Sequence, residues 1–379
     1  MTIRKKTPPQ IPGFEHLHSD IVLIPGYRGS KLYNQKTKTT TWLNLQIPLS
    51  PHSKGNLDLP LQITKDEPDR FIPHGILQKI AFYKFYDSLI QHMDNLSSQK
   101  NSSSFKFHKF SYDWRRSNQA TSDIFLEYLK KIYAANGEKP IYIFAHSNGG
   151  LITLSVLHRA PHLIAGVIFA GTPFGGAPGI FHELKFGSPV LFNKKLQDPT
   201  TIFTFRTAFH LLPIKCNAFK NPVTGKDFYI DYFDSKEWLN SEWSDVIFED
   251  TPRNLAIGTK EERIAYLERV LDDTKKFHDS LKFQGTEFKY PPLVTIISNV
   301  YQSNGGYPIT KNQHGKWVID FEGLIPVKGD GSVSVESTKL PDGIPYEVCY
   351  SMNTHAELFE DLTAVGQAIE KIFAPKKVA

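Results

Sequence analysis

One stretch restricts the fold of this chain more than any other. Residues 140–160 read PIYIFAHSNGGLITLSVLHRA. The apolar, β-branched run Ile141 to Ala145 predicts a strand buried on both faces. Gly150 to Ala160 predicts a helix halted by Pro161. Between them, Ala145-His146-Ser147-Asn148-Gly149 forms a G-x-S-x-G turn with Ala in the first position. A strand that passes at once into a helix through small residues holds the serine in strained backbone. It lifts the hydroxyl above the carboxyl edge of a parallel sheet. A bare A-x-S-x-G is an ordinary turn sequence; the strand before it and the helix after it make Ser147 a candidate nucleophile.

The remainder of the chain supplies the rest of such a sheet. Ile21–Ile24, Val167–Ala170 and Leu293–Ser298 read as buried parallel strands, and Phe105–Phe110 offers another. Ile124, Phe125, Tyr128, Leu129 and Ile132 share a helical face, with Thr121 or Ser122 to cap it and Asn136-Gly137 to end it. Leu358, Leu362, Val365, Ile369 and Ile372 form an apolar stripe near the C-terminus, behind a Thr354-His-Ala-Glu357 capping-box pattern. Strands alternating with helices predict a mostly parallel sheet flanked by helices; with the serine turn at a strand–helix junction, that is the α/β-hydrolase fold. Two regions break the alternation and predict insertions over the sheet. The expected division is a core of 18–30, 76–173 and 291–379, an insertion at 31–75, a cap at 174–290 and a tail at 1–17.

A serine hydroxyl needs a base, and the base needs an orienting carboxylate; in this fold they follow in the order Ser, Asp or Glu, His. Gly329-Asp330-Gly331-Ser332-Val333 places Asp330 in a glycine-flanked turn, and His355 follows it. Asp330 reads equally as a plain turn aspartate. Asp320, Glu336 and Asp342 are alternative acids, and among 14 histidines His146, His278 and His314 compete with His355. His146 is set aside because the side chain preceding the nucleophile is directed away from the pocket. His278 and His314 fall in or near irregular segments without a motif. His355 is expected at the start of the last helix, where the dipole disfavours an imidazolium. Charge building on a substrate carbonyl oxygen needs two backbone donors. The Asn148 amide is one, and Ile24-Pro25-Gly26-Tyr27-Arg28-Gly29-Ser30 nominates Tyr27 as the other.

Composition excludes more than it selects. A net charge of +5 without strong clustering argues against nucleic-acid binding. The exceptions, Arg4-Lys5-Lys6 and Lys376-Lys377, could add weak attraction to anionic lipid but read more simply as solvated surface. Cys216 and Cys349 do not make a disulfide framework. With no apolar leader and no membrane-span-length run, a reducing, cytoplasmic location is expected, peripheral to membranes at most. The glycosylation patterns at Asn95 and Asn101 would matter only on secretion. The 27 Phe and 16 Tyr fit either an aromatic core or apolar substrate surfaces.

Several separated motifs resemble the lecithin:cholesterol acyltransferase family. They are Ile24-Pro-Gly-Tyr-Arg-Gly-Ser-Lys-Leu32, Thr41-Trp-Leu-Asn-Leu45, Tyr112-Asp-Trp-Arg115, the Ser147 turn, Gly171-Thr-Pro-Phe-Gly-Gly176, Leu211-Leu-Pro213, Gly329-Asp-Gly-Ser-Val333 and His355. The resemblance implies a Ser147–Asp330–His355 triad, with the Tyr27 and Asn148 amides as oxyanion donors. It implies that Trp42 and Leu43 belong to a membrane-contacting insertion and that 174–290 lines acyl-chain tracks. Core packing is the other reading of Trp42. Secreted family members carry cysteine pairs, one around the Trp-Leu-Asn segment; here that segment has no Cys, and Ser298 stands where another would be expected.

The expectation is therefore a serine-dependent lipid acyl hydrolase or acyltransferase acting on glycerophospholipid esters. It needs no cofactor or metal and no obligate protein partner. Alternatives are a neutral-lipid or small-ester carboxylesterase with the same triad and a catalytically silent membrane-binding scaffold.

Overall fold

The computed structural model describes residues 11–17, 19–43, 55–62, 69–80, 83–98, 105–215 and 217–373. Cys216, Asn101, the basic clusters at 4–6 and 376–377, and the apolar positions Leu45, Ile47 and Leu49 lie outside them. Six strands build the central sheet: β1 (Ile21–Ile24), β2 (Phe107–Lys109), β3 (Ile141–His146), β4 (Ile164–Ala170), β5 (Leu293–Ile297) and β6 (Glu347–Tyr350). Their order is β6-β5-β4-β3-β1-β2, and every pairing is parallel.

Strand alternation divides the core into two layers. Val22, Ile24, Ile143, Ala145, Val167 and Phe169 face one cluster, which α2 (Asn118–Ala135) and α3 (Asn148–Arg159) cover through Phe125, Leu129, Leu151 and Leu154. Ile21, Leu23, Phe144, Ile168 and Ile296 face the other. That side is covered by α1 (Asp87–Ser98) and α5 (Leu362–Phe373) through Leu89, Met93, Val365 and Ile369. Both faces are buried, so the strands are apolar throughout rather than alternating.

Helix α2 starts earlier than the sequence suggests. Ser117 is its cap, accepting the Ala120 N–H at 3.2 Å, and Thr121 and Ser122 lie buried within the helix. The start moves by one turn because Ser117 satisfies the free N–H groups first. Ile124, expected on the buried face with Phe125, Leu129 and Ile132, lies outside it and is 56% exposed. The C-terminal end is as expected, with the Asn136 N–H bonded to the Ile132 carbonyl.

Residues 174–290 hold more regular structure than their sequence suggests, including the 21-residue α4 (Lys260–Ser280). A Thr259–Glu262 capping box opens α4, Glu262 accepting the Thr259 N–H at 2.8 Å. Phe181 centres an aromatic cluster with Phe219, Tyr232, Trp238 and Trp243, at ring separations of 5.0–5.7 Å. Much of the aromatic richness is thus spent inside this region rather than on open surface. Phe219–Lys220 also pairs in parallel with Tyr307–Lys311, so residues beyond β5 join the same small sheet. Among the described residues no helix is long and apolar enough to cross a membrane.

Candidate active site

Ser147 stands at the junction of β3 and α3 with φ 50° and ψ −126°, a left-handed conformation that costs a non-glycine residue energy. Its N–H is tied to the Ala170 carbonyl at 2.8 Å and its own carbonyl accepts the Gly150 N–H at 2.9 Å. Gly26 presses directly on Ser147. A Cβ there would lie 2.7 Å from the Ser147 Cβ and 3.3 Å from its Oγ. The first loop is thereby seated beside the Ser147 hydroxyl.

Ser147 Oγ lies 3.0 Å from His355 Nε2, and His355 Nδ1 lies 2.7 Å from Asp330 Oδ2. A carboxylate only accepts, so Nδ1 carries the proton and Nε2 offers its lone pair to the serine O–H. Asp330 is 1% exposed. Its other oxygen accepts the Ser332 and Val333 amides at 2.9 and 2.7 Å. Burial pushes the Asp330 carboxyl up, but His355 and these two amides outweigh it and hold it below its usual range. The His355 N–H also donates to the Asp330 carbonyl at 2.8 Å, so the two loops are locked through backbone as well as side chain.

The other candidates are elsewhere. Asp320 closes its own turn by accepting the Glu322 and Gly323 amides. Glu336 pairs with Lys339, and Asp342 is exposed. His314 is exposed, and His278 lies in the last turn of α4 rather than in an irregular segment. His355 itself does not open the last helix. It begins a separate 3₁₀ helix, His355–Glu360, and α5 starts at Leu362 with Asp361 accepting the Ala364 N–H. The capping box expected at 354–357 does not form. The Thr354 hydroxyl donates to the Glu357 carboxylate at 2.9 Å, and neither side chain accepts a backbone N–H. The expected dipole penalty on His355 therefore has no long helix behind it.

Tyr27 follows Gly26 in the first loop, and Asn148 follows Ser147 at the start of α3. Among the described residues neither backbone N–H has an acceptor, as two amides waiting for an oxyanion would require. A chain of hydrogen bonds that the sequence did not disclose braces this loop. The Gly26 N–H donates to the Tyr86 hydroxyl at 3.1 Å, and that hydroxyl meets His146 Nδ1 at 2.7 Å. His146 Nε2 then meets the His355 carbonyl at 2.8 Å. The carbonyl can only accept, so Nε2 carries the proton, Nδ1 accepts, and the Tyr86 O–H donates. Burial, with His355 nearby, pushes the His146 imidazole down to about 3, which keeps it neutral. His146 does point away from the pocket, but it joins both halves of the site from below.

Gly171 is a second residue the sequence did not single out for chemistry. At φ +58° it passes so close that a Cβ would lie 2.9 Å from His355 Nδ1 and 3.0 Å from Asp330 Oδ2.

The Tyr-Asp-Trp-Arg motif proves to be a buttress. The Tyr112 hydroxyl donates to the Pro25 carbonyl at 3.1 Å and accepts from the Asn148 side chain at 3.3 Å. Trp114 donates to the Ser30 carbonyl at 2.9 Å, and the fully buried Arg115 is paired with Asp113 and Asp69. Trp42 belongs to the same packing. It is 4% exposed, donates to the Arg28 carbonyl at 2.8 Å and lies edge-on to Trp114 at 5.0 Å. Leu43 is partly buried against the core. The expected membrane contact is thus corrected at Trp42: an indole whose N–H and ring are both satisfied inside stays inside.

A cavity of about 610 Å³ opens beside the site, lined by Tyr27, Ile180, Glu183, Leu211, Phe321 and Ser332 among others. Arg28 grips Glu183 bidentately at 3.0 and 2.7 Å, joining the first loop to the helix Gly179–Phe186 at the cavity wall.

A parallel sheet carrying a strained serine, with His and Asp from later loops within hydrogen-bond reach, defines an α/β-hydrolase. One chain of the Tle4–Tli4 complex shares this fold, with a TM-score of 0.63 at 13% identity over 93% of this chain and 98% of that one. The lecithin:cholesterol acyltransferase family profile matches residues 74–323, and the chain belongs to that family. It is 27% identical to an uncharacterized protein of Saccharomyces cerevisiae over 96% of this chain and 63% of the yeast protein. It is 26% identical to a phospholipase A(1) of Arabidopsis thaliana, over 52% of this chain and 43% of that protein. It is 25% identical to the human lysosomal phospholipase A and acyltransferase, over 45% of this chain and 50% of that protein. The chain therefore spans 43–63% of the length of these relatives.

Proposed function

We propose that this protein is a serine-dependent acyl hydrolase or acyltransferase acting on glycerophospholipid esters. The observation that carries the reading is the unbroken line Ser147 Oγ, His355, Asp330 at 3.0 and 2.7 Å, beside two unengaged amides. Ser147 Oγ attacks the ester carbonyl carbon as His355 Nε2 takes its proton. The Tyr27 and Asn148 amides receive the oxyanion. The C–O bond to the lipid alcohol breaks, and His355 returns the proton to that leaving oxygen. Water or a lipid alcohol then attacks the acyl-serine, giving up its proton to His355, and Ser147 leaves with it. Asp330 stays ionised throughout, holding the His355 tautomer and stabilising the imidazolium. The lipid class rests on the family and on the phospholipase relatives.

The test is a product analysis. The protein is incubated with phospholipid vesicles containing sterol or diacylglycerol, and free fatty acid and new ester are both quantified. Lysophospholipid with fatty acid supports hydrolysis; lysophospholipid with new ester supports transfer. Turnover of soluble short esters with none of vesicle lipid would overturn the phospholipid assignment.

A further inference from the structure

We infer that the hairpin tip Leu191-Phe192 inserts into the surface of an anionic bilayer and seats the cavity mouth on it; this rests on the lipid-ester reading above. Val190 and Asn193 exchange both backbone hydrogen bonds, each at 3.0 Å, so the chain reverses in the two residues between them. Those two residues are apolar and project into solvent, Leu191 at 55% and Phe192 at 71% exposure. Leu191 also adopts φ +52°, a left-handed conformation in which a side chain branched at Cγ has no business by local preference. Gly or Asn would sit there without strain and without an exposed apolar surface. The turn therefore accepts both a backbone cost and a solvation cost to keep Leu-Phe at its apex.

Three features select a lipid surface as the occupant. The first is continuity with the cavity: Gly187, Ser188 and Pro189, just before the tip, line it, and Leu324 on the same lining is itself exposed. The second is charge. Lys194 and Lys195 follow the tip directly and are exposed, which places two cations at the level of the head groups when the apolar pair is buried below them. The third is anchorage. Asn193 Oδ1 accepts the Lys195 and Leu196 amides, both at 2.8 Å, and Leu196 is buried, so the tip stands on a fixed base. Two apolar side chains flanked by cations, at the edge of a cavity that would receive an acyl chain, match the chemistry of an anionic phospholipid bilayer.

The experiment is vesicle sedimentation with the full chain carrying Ser147→Ala, which leaves the vesicles intact. Phosphatidylcholine vesicles are compared with vesicles that also contain phosphatidylserine. Leu191→Gly/Phe192→Ser removes the apolar apex while glycine relieves the turn, so folding is retained. Partition should fall about tenfold or more. Lys194→Glu/Lys195→Glu should cost about fivefold per lysine on phosphatidylserine vesicles only. With Ser147 intact, the apex variant should keep wild-type turnover of a soluble short ester. Unchanged partition of the apex variant would overturn the inference, and equal wild-type binding to both vesicle types would overturn the choice of an anionic surface. If no ester is turned over by any form, the functional reading fails, while the partition of the variants still decides the docking surface.

Discussion

The floor of the cleft and its rim are built on opposite rules. Around Ser147 the side chains that matter are buried or half-buried and each hydrogen bond is donated in one consistent direction: Ser147 to His355 to Asp330 above, Gly26 to Tyr86 to His146 to the His355 carbonyl below. At the rim, Leu191 and Phe192 are held in water with nothing over them among the described residues. Both places contain a non-glycine residue at positive φ, Ser147 and Leu191. The same backbone cost serves two ends: in one it presents a hydroxyl, in the other an apolar surface. The difference teaches that strain alone does not mark chemistry; what its neighbours satisfy or leave open does.

The comparison can be broken at the floor first. Asp330→Asn keeps the shape but lets Nδ1 lose its fixed partner, and turnover should fall on the order of 10⁴-fold. Steady-state rates on a short ester give the number, and a fall of less than tenfold would remove Asp330 from its place. Gly171→Ala should cost at least about 10²-fold, because a Cβ would displace the His355–Asp330 pair. The loss should appear in kcat, with the fold checked by circular dichroism. A smaller effect, about tenfold, is expected for Tyr86→Phe, which leaves the Gly26 amide and His146 Nδ1 without partners. If the loop seated by Gly26 supplies an oxyanion amide as proposed, kcat should drop more than KM rises; a pure stability loss with unchanged kcat would make the relay structural only.

Acid should weaken the fold, through the floor and the 174–290 region together. The His146 imidazole is held down to about 3 and His278 to about 4, both by burial, and His210 is lowered too. Unfolded histidines take up protons below about 6.5, while these stay neutral in the fold, so the unfolded state binds more protons in that window. Stability should therefore be flat above about pH 6.5 and fall as pH drops towards 4. Melting midpoints at about pH 7 and pH 5 check the sign, and an equal or higher midpoint at the lower pH would contradict it.

The same contrast explains what could be read from the residues. The sheet was legible because β3, β4 and β5 are continuous apolar runs, and Ser147 and Asp330 because small residues beside them advertise a turn; His355 was picked out by its order after them and by the family resemblance, since the pattern around it points to a helix start that does not form. The relay was not legible, because Tyr86, just before α1, and His146, at the end of β3, are ordinary residues far apart in sequence that only the fold brings together. Tyr112-Asp-Trp-Arg115 was visible as a motif but not as a brace, since its partners Pro25, Ser30 and Asp69 lie far away in sequence. Thr354–Glu357 matched a helix-start pattern whose side chains bond each other instead of the backbone. Trp42 failed as a surface anchor because a Trp before Leu reads the same whether its indole finds a carbonyl inside or a lipid outside.

The central claim is that Ser147 is the nucleophile, activated by His355. The direct measurement is covalent labelling by a fluorophosphonate, read by intact mass and peptide mapping. The wild-type chain should gain one adduct, located on Ser147, and folded Ser147→Ala should gain none. Equal labelling of folded Ser147→Ala, or an adduct mapped to another serine, would contradict the account.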